Sequence, residues 1–306
     1  LAFENQLEST GKYTFPSSGT LIQQIKASSA TPPSSRCLIS YAQVKPVVCR
    51  FGNLKSKSVI VLMGDSHAFQ WLAPLTAIAQ RRHAQLDLIA KAACPVSDVT
   101  YVLTSANNAP SSMIGKPYRA CTLWRNEAFK VIKSLRPQTV VISSQIRPEP
   151  TTPTSLPAGL TKSISILTSS LPSHSSKHVV SIADIPDEWY GSSTATSAQC
   201  LARSNLSFLY SAANVKSGFQ QNPNECFRTL SYSENYPTLR FSMNAAALAA
   251  GATVVDPTSW ICNSSNQNGV CPPVIGGTLV YRDSWHLTDA YAARLSTVLG
   301  AQIPTK

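Results

Sequence analysis

The sequence predicts an α/β fold on a parallel, doubly wound sheet, and three observations carry that prediction. From Ser58 onward, short β-branched runs alternate with amphipathic helical stretches, the pattern of parallel strands joined by crossover helices. The most apolar run, Val59-Ile60-Val61-Leu62-Met63, is the length of one strand and holds no polar residue, as a strand buried on both faces requires. It ends at Gly64 and turns directly into a helical pattern, the kind of junction at which open α/β sheets bind ligands.

The elements follow in order. Residues 1–57 read as an N-terminal appendage packed on the main domain, with the Pro/Ser stretch Thr31-Pro32-Pro33-Ser34-Ser35 inside it. The main domain spans 58–306, and 58–63 is its first strand. Residues 68–82 place Phe69, Leu72, Leu75, Ile78 and Ala79 on one helical face. A second strand at 86–90 leads into a long loop bounded by Cys94 and Cys121. The helix at 123–134 stops before Arg136-Pro137, because a proline disfavours helical backbone in the residue preceding it. Thr139–Ser143 is a third strand, 160–170 a helix, and His178–Ile182 a strand. Residues 192–237 show no clear period and read as an excursion tied to the body by Cys200 and Cys226. An Ala-rich helix at 238–250 ends at Gly251. Short strands at 252–255 and 278–281 precede a terminal helix at 288–299 with Thr288 as its N-cap.

Composition bounds the function. Of 306 residues, 43% are hydrophobic, which supports a core and argues against general disorder. Lys and Arg number 26 against 15 Asp and Glu, a net charge of +11. Charged residues are only 13% of the chain, about half of the usual quarter, so the basicity comes from scarce acids more than from added bases. That argues against nucleic acid as a partner, which needs clustered Lys and Arg.

Eight cysteines stand at 37, 49, 94, 121, 200, 226, 262 and 271, none in a C-x-x-C pair. Zinc ribbons and thioredoxin-like sites are therefore not expected. The even count and the short gaps 37/49, 200/226 and 262/271 predict disulfides formed outside the cytoplasm. Sequential pairing, with Cys94 joined to Cys121, is one of 105 connectivities. No apolar run approaches the roughly 18 residues of a membrane span, and residues 1–26 hold no signal-peptide core. The expectation is an exported segment whose export signal or anchor lies outside this chain.

Two segments carry chemistry. In Gly64-Asp65-Ser66-His67-Ala68, the serine sits where the chain turns into a helix, and its own N–H points to where an oxyanion would form. Gly64 permits a turn that a Cβ would hinder. Serine is a poor nucleophile without an adjacent base that a third group orients. The segment Tyr281-Arg282-Asp283-Ser284-Trp285-His286-Leu287 offers both. His286 can be the base and Asp283 the group that fixes its tautomer, since the three-residue spacing lets both point into one site. Each segment also has an ordinary reading, Gly-Asp-Ser as a chance loop and Asp-x-x-His as an Asp-capped turn. A strand-end serine early in the chain, paired with Asp-x-x-His before the last helix, is the more specific combination.

With those residues in place, the chain resembles the SGNH (GDSL-like) hydrolases, and more closely the extracytoplasmic SGNH domains fused to bacterial acyltransferase-family-3 membrane proteins. The resemblance covers about residues 37–300. It rests on Gly64-Asp65-Ser66-His67-Ala68 with Trp71 and Pro74, Cys94-Pro95, and Cys121 with Trp124-Arg125. Arg136-Pro137 before Val140-Val141-Ile142-Ser143, Trp260-x-Cys262, Cys271-Pro272, Val280-Tyr281-Arg282-Asp283 and His286-Leu287-Thr288 continue it. It implies a flavodoxin-like three-layer α/β sandwich with a central, mostly parallel sheet, the SGNH hydrolase fold.

The resemblance also implies an O-acyltransferase or esterase acting on envelope glycans or glycolipids, with Ser66 as nucleophile, His286 as base and Asp283 as its partner. No cofactor and no metal are implied. The acyl donor would be delivered by a membrane acyltransferase domain of the same full-length protein, and the acceptor would be an envelope glycan or glycolipid. The location would be periplasmic or at the outer face of the bacterial plasma membrane, anchored by a transmembrane region outside this chain.

The chain departs from the family in the oxyanion hole, for it has no Gly-x-Asn-Asp after the third strand, where Ser143-Ser144-Gln145-Ile146-Arg147 stands. Ser144 or Gln145 is the candidate substitute donor, with an equal case for both as ordinary loop residues, and Ala93 stands where the second-strand glycine would be, its N–H needing no glycine. Rival chemistry is less well served. Asp65-Ser66-His67 spells the Asp-x-His of metallophosphoesterases, but the further ligand segments are missing. An α/β-hydrolase elbow reads G-x-S-x-G, and here Ala68 takes the last place. A glycan-binding module without catalysis remains the alternative of a different class.

Overall fold

The structure, a computed structural model, describes residues 18–29, 33–104, 109–147, 155–171, 178–186, 228–229, 236–262 and 270–304. Two compact units divide the chain, one drawn from 32–184, 236–256 and 296–306, the other from 1–31, 185–235 and 257–295.

The first unit is built on a seven-stranded sheet. Its elements in chain order are β1 (Leu38–Ile39), β2 (Cys49–Gly52), β3 (Val59–Gly64), α1 (Ser66–Phe69), α2 (Leu72–Arg81), β4 (Gln85–Lys91), α3 (Arg119–Leu135), β5 (Thr139–Ser143), α4 (Leu156–Ser170), β6 (His178–Ile182), α5 (Pro237–Ala249), β7 (Thr253–Val255) and α6 (Ser296–Gln302). The strand order is β1-β4-β3-β5-β6-β7, all parallel, with β2 antiparallel against β4. Chain order along the sheet reverses between β4-β3 and β5-β6-β7, so the switch point falls beside β3. The mostly parallel α/β architecture expected from the sequence is what the chain forms.

β1 and β2 come from the segment read as an appendage. They divide the outer edge of β4, β1 pairing with Ala90 and Lys91 and β2 with Gln85 to Leu88, and the Cys37–Cys49 disulfide ties them. The interior joins Val61, Met63, Ile89, Val140 and Ile142 of the strands to Trp124, Ala128 and Ile132 of α3 and Leu160, Ile164 and Leu167 of α4. Fully burying side chains of this size stabilises by about 1.5–3 kcal/mol each before the entropy of ordering them is counted.

Several helices differ from the expected spans. The single helix expected at 68–82 is broken at Gln70-Trp71 into α1 and α2, because Pro74 has no N–H to bond the Gln70 carbonyl. α3 begins at Arg119 rather than 123, its first turns burying Cys121, Trp124 and Arg125. It ends at Arg136 in left-handed backbone, directly before Pro137. α4 begins at Leu156 rather than 160, where Ser155 accepts from the Ala158 N–H and Pro157 occupies the first turn.

The second unit holds a helix at Ser18–Ser29, short helices at Thr258–Ile261 and Asp289–Arg294, and two small antiparallel pairings. Thr278–Leu279 pairs with Val274–Ile275, so the strand expected at 278–281 is half of a hairpin and does not extend the parallel sheet. Gln24 holds that hairpin through Nε2 to the Gly277 carbonyl (2.9 Å) and through Oε1 from the Leu279 N–H (2.7 Å). The helix expected at 288–299 is two: Thr288 caps Asp289–Arg294 by accepting from the Tyr291 N–H, and α6 follows in the first unit.

Disulfides join Cys37–Cys49, Cys94–Cys121 and Cys262–Cys271, as sequential pairing predicts. The expected Cys200–Cys226 bond lies outside the described residues, as does nearly all of the 192–237 excursion. Among the described residues no helix is long and apolar enough to cross a membrane.

Candidate active site

Three parallel strands end level with one another. Gly64 pairs with Ala90 on one side and Ser143 on the other, so the loops after β3, β4 and β5 emerge side by side. Gly64 is required there: an added Cβ would stand 1.9 Å from the Ser143 carbonyl oxygen and 2.8 Å from the Ala68 Cβ. Ser66 opens α1 two residues later and is partly exposed.

The loop after β4 brings Ala93 to this edge in left-handed backbone, φ 48°. That is a conformation a glycine adopts freely and an alanine only at a cost. Fixed surroundings hold the loop. Cys94 is bonded to Cys121, and the Tyr118 hydroxyl donates to the Ala92 carbonyl at 3.0 Å. Arg125, fully buried, donates to the Pro95 and Val99 carbonyls and to Asp98. Lys91, also fully buried, donates to the Ser40, Tyr41 and Gln43 carbonyls at 2.6, 2.9 and 2.6 Å. Burial lowers its pKa to about 8.

The loop after β5 carries the other expected donors. Ser144 Oγ accepts from the Val96 N–H at 2.9 Å, and the Gln145 N–H donates to Asp65 Oδ2 at 3.0 Å. The Gln145 N–H is thus engaged with the Gly64–Ser66 turn. Asp65 Oδ1 also accepts the His67 N–H at 2.8 Å. Burial pushes the Asp65 carboxyl up to about 6, against the pull of His67 and the two amides.

Sequence reasoning missed the partner of His67. The ring is buried, and its Nδ1 lies 2.5 Å from Asp184 Oδ1. Burial disfavours the imidazolium, but the Asp184 and Asp65 carboxylates outweigh it and raise the His67 pKa. Asp184 follows β6, 117 residues from His67, and no local pattern links the two. Beside it a cleft of about 350 Å³, counted with its open mouth, is lined by Val96, Ile142, Ser143, Ile182, Asp184 and Met243 among others.

The second unit carries Asp283 and His286, and the structure brings these two together. His286 Nδ1 lies 2.8 and 2.9 Å from the two Asp283 carboxylate oxygens. Asp283 Oδ1 also accepts the Trp285 and His286 N–H groups, both at 2.9 Å, and Arg282 Nε donates to Oδ2 at 3.2 Å. The loop is closed beneath them by the Arg282 N–H to the His286 carbonyl and by the Thr288 N–H to Val280. Burial opposes the Asp283 charge, but the His286 ring and Arg282 hold its carboxyl well below the usual carboxylate range. A carboxylate on Nδ1 selects the tautomer that leaves Nε2 able to accept a proton.

Comparison with known proteins agrees with this geometry at the level of family and fold. The sequence profile of the SGNH domain (fused to AT3 domains) matches residues 36–300. Among solved structures, the periplasmic domain of the lipopolysaccharide acetyltransferase of Salmonella ser. Paratyphi A superposes with a TM-score of 0.53 at 16% identity, over 82% of this chain and 85% of that one. No curated protein sequence matches the chain. With 36–300 matched in sequence and the sheet and its loops arranged as described, this chain belongs to the SGNH domain family found fused to AT3 domains.

Proposed function

We propose that the protein transfers a short acyl group, acetyl foremost, to a hydroxyl of a cell-envelope glycan or glycolipid through an acyl-Ser66 intermediate. The observation that carries this reading is the Asp283–His286 arrangement, with both carboxylate oxygens on Nδ1 and two amides fixing the carboxylate. That is how a base for a serine nucleophile is prepared.

The reading requires Ser66 and His286 to meet. His286 Nε2 takes the Ser66 Oγ proton as Oγ bonds to the acyl carbonyl carbon, and the proton passes to the departing donor group. The acceptor hydroxyl then gives its proton to Nε2 and attacks the acyl carbon, and the proton returns to Ser66 as the acyl–Oγ bond breaks. The Ser66 and Ala93 N–H groups are the oxyanion donors, and Ser144 or Gln145 supplies a third from its side chain. Loss of one such donor costs about 10²–10³ in rate, so positions with substituted donors favour slow chemistry on unactivated esters.

Membership of a family described as fused to AT3 domains supports a membrane acyltransferase domain as the source of the acyl group. Three disulfides support an oxidising, extracytoplasmic location. The lipopolysaccharide acetyltransferase of like fold supports an envelope acceptor. Water in place of the acceptor makes the same site an esterase, and that reaction supplies the assay. Wild-type protein should hydrolyse an activated acetyl ester at least about 10³-fold faster than Ser66→Ala. Equal rates would remove the catalytic reading for that substrate and leave the glycan-binding module. Intact-mass trapping should show one acyl adduct on Ser66, discharged faster when sugar hydroxyls compete with water.

A further inference from the structure

The residue after Ser66 is a buried histidine that the acyl-transfer steps do not use. His67 is 1% exposed and Asp184 is 8% exposed. Asp184 holds His67 Nδ1 with Oδ1 at 2.5 Å and accepts the Ile146 N–H with Oδ2 at 2.7 Å. On the other side of the same turn, Asp65 accepts the His67 N–H with Oδ1 and the Gln145 N–H with Oδ2. Two carboxylates, one just after β3 and one just after β6, therefore grip consecutive amides of the loop after β5, and each is also bonded to His67. Arg240 Nε donates to the Asp184 carbonyl at 3.1 Å, fixing the backbone from the α5 side. Arg147 is a further charged group acting on His67.

A buried ion pair is a weak source of stability, since apolar side chains of similar volume do as well or better. What such a pair supplies is a single geometry. Here that geometry links Ser66, through its neighbour, to the Ser144–Gln145 loop. We propose that His67 and Asp184 are positioning residues for the acyl-transfer reaction, setting the loop after β5 against Ser66 so that Ser144 or Gln145 presents a donor to the oxyanion. The proposal rests on the acyl-Ser66 reading. Neither residue touches substrate.

Three variants of the full chain test it. His67→Asn keeps an N–H close to where Nδ1 stands, His67→Phe keeps the ring's bulk and deletes the donor, and Asp184→Asn keeps shape and removes charge. On an activated acetyl ester, kcat should fall about 10–100-fold in His67→Phe and Asp184→Asn with KM within about threefold, the signature of misplacement and not of lost binding. His67→Asn should stay within about threefold of wild type. Amide hydrogen exchange is measured on the same proteins. Gln145 and Ile146 should exchange at least about tenfold faster in His67→Phe and Asp184→Asn and at the wild-type rate in His67→Asn.

Unchanged kcat in both disruptive variants overturns the proposal, as does equal loss in His67→Asn and His67→Phe. If His67→Phe does not fold, Asp184→Asn decides. If wild type is no faster than Ser66→Ala, the acyl-Ser66 reading has failed and exchange alone decides the clamp. Protection at Ile146 that survives Asp184→Asn then overturns it, and protection lost there but kept in His67→Asn upholds it.

Discussion

Asp283 has a geometry that fits both readings that its sequence pattern offers. From sequence, Asp-x-x-His serves either as an Asp-capped turn or as part of a catalytic set. In the structure the carboxylate caps the turn through the Trp285 and His286 amides and holds the His286 ring with the same oxygens. Under the proposed acyl-Ser66 mechanism, Asp283→Asn should lower kcat about 10³–10⁴-fold by upsetting the tautomer, seen on the ester substrate with KM little changed. Because the folded carboxyl is held below its usual range, its contribution to stability is present above the ordinary carboxylate pKa and is lost as pH falls through the depressed value. Asp65 has the opposite sign. Its carboxyl is pushed up to about 6 from 3.8, so the folded state binds its proton more tightly, and stability is lost as pH rises through that value. Replacing it with Asn removes the titration, and the stability of Asp65→Asn relative to wild type should improve steadily between about pH 4 and 7. Chemical denaturation across that range measures it, and a flat difference would contradict the buried charge. Ala93 carries a left-handed backbone that costs an L-residue about 1–2 kcal/mol. Ala93→Gly relieves it at an entropic cost of about 0.5–1 kcal/mol, so a small net gain in stability is expected, with activity retained.

At the scale of elements, the strand edge that presents Ser66 depends on close approach between β3 and β5. Gly64→Ala drives a Cβ into the Ser143 carbonyl and Ala68, both on fixed backbone. The expected loss is about 3 kcal/mol in denaturant unfolding, and ester turnover should fall with it. The loop after β4 is held from several directions, and the Cys94–Cys121 bond spans 27 residues. Opening it with paired serines should cost about 3.5 kcal/mol by the loop-entropy relation. Activity should fall further than stability predicts, because Ala93 adjoins the bridge. The helices illustrate what local pattern misses. The apolar period through 68–82 is real, yet Pro74 withholds one N–H and divides the run into α1 and α2. α4 begins where Ser155 and Pro157 place its start, ahead of the apolar stripe from which a span is read.

Over the whole molecule, a net charge of +11 acts at long range and favours approach to anionic surfaces. The protein should bind vesicles containing anionic lipid or lipopolysaccharide and release as salt rises toward about 0.5 M, where screening shortens to a few ångströms. Binding that ignores salt would mean that the charge has no such partner. The same envelope surface is where the proposed acceptor lies, so Ser66→Ala should bind as wild type does while losing turnover.

The sequence by itself determined the parallel α/β plan, since buried β-branched strands and amphipathic helices are local patterns that exclude most alternatives. It also pointed to the Asp283–His286 contact, which spans three residues of one loop, and to the sequential cysteine pairing, one of many connectivities, that the three described bridges follow. Tertiary structure alone decided that Leu38–Ile39 and Cys49–Gly52 join the sheet edge, that Lys91 is fixed by carbonyls of Ser40, Tyr41 and Gln43, and that His67 meets Asp184. Those contacts join residues far apart in the chain, where hydrophobic period is silent and a polar residue carries no mark of its partner. A buried charge must find an opposite charge or a set of dipoles, and the fold alone says which.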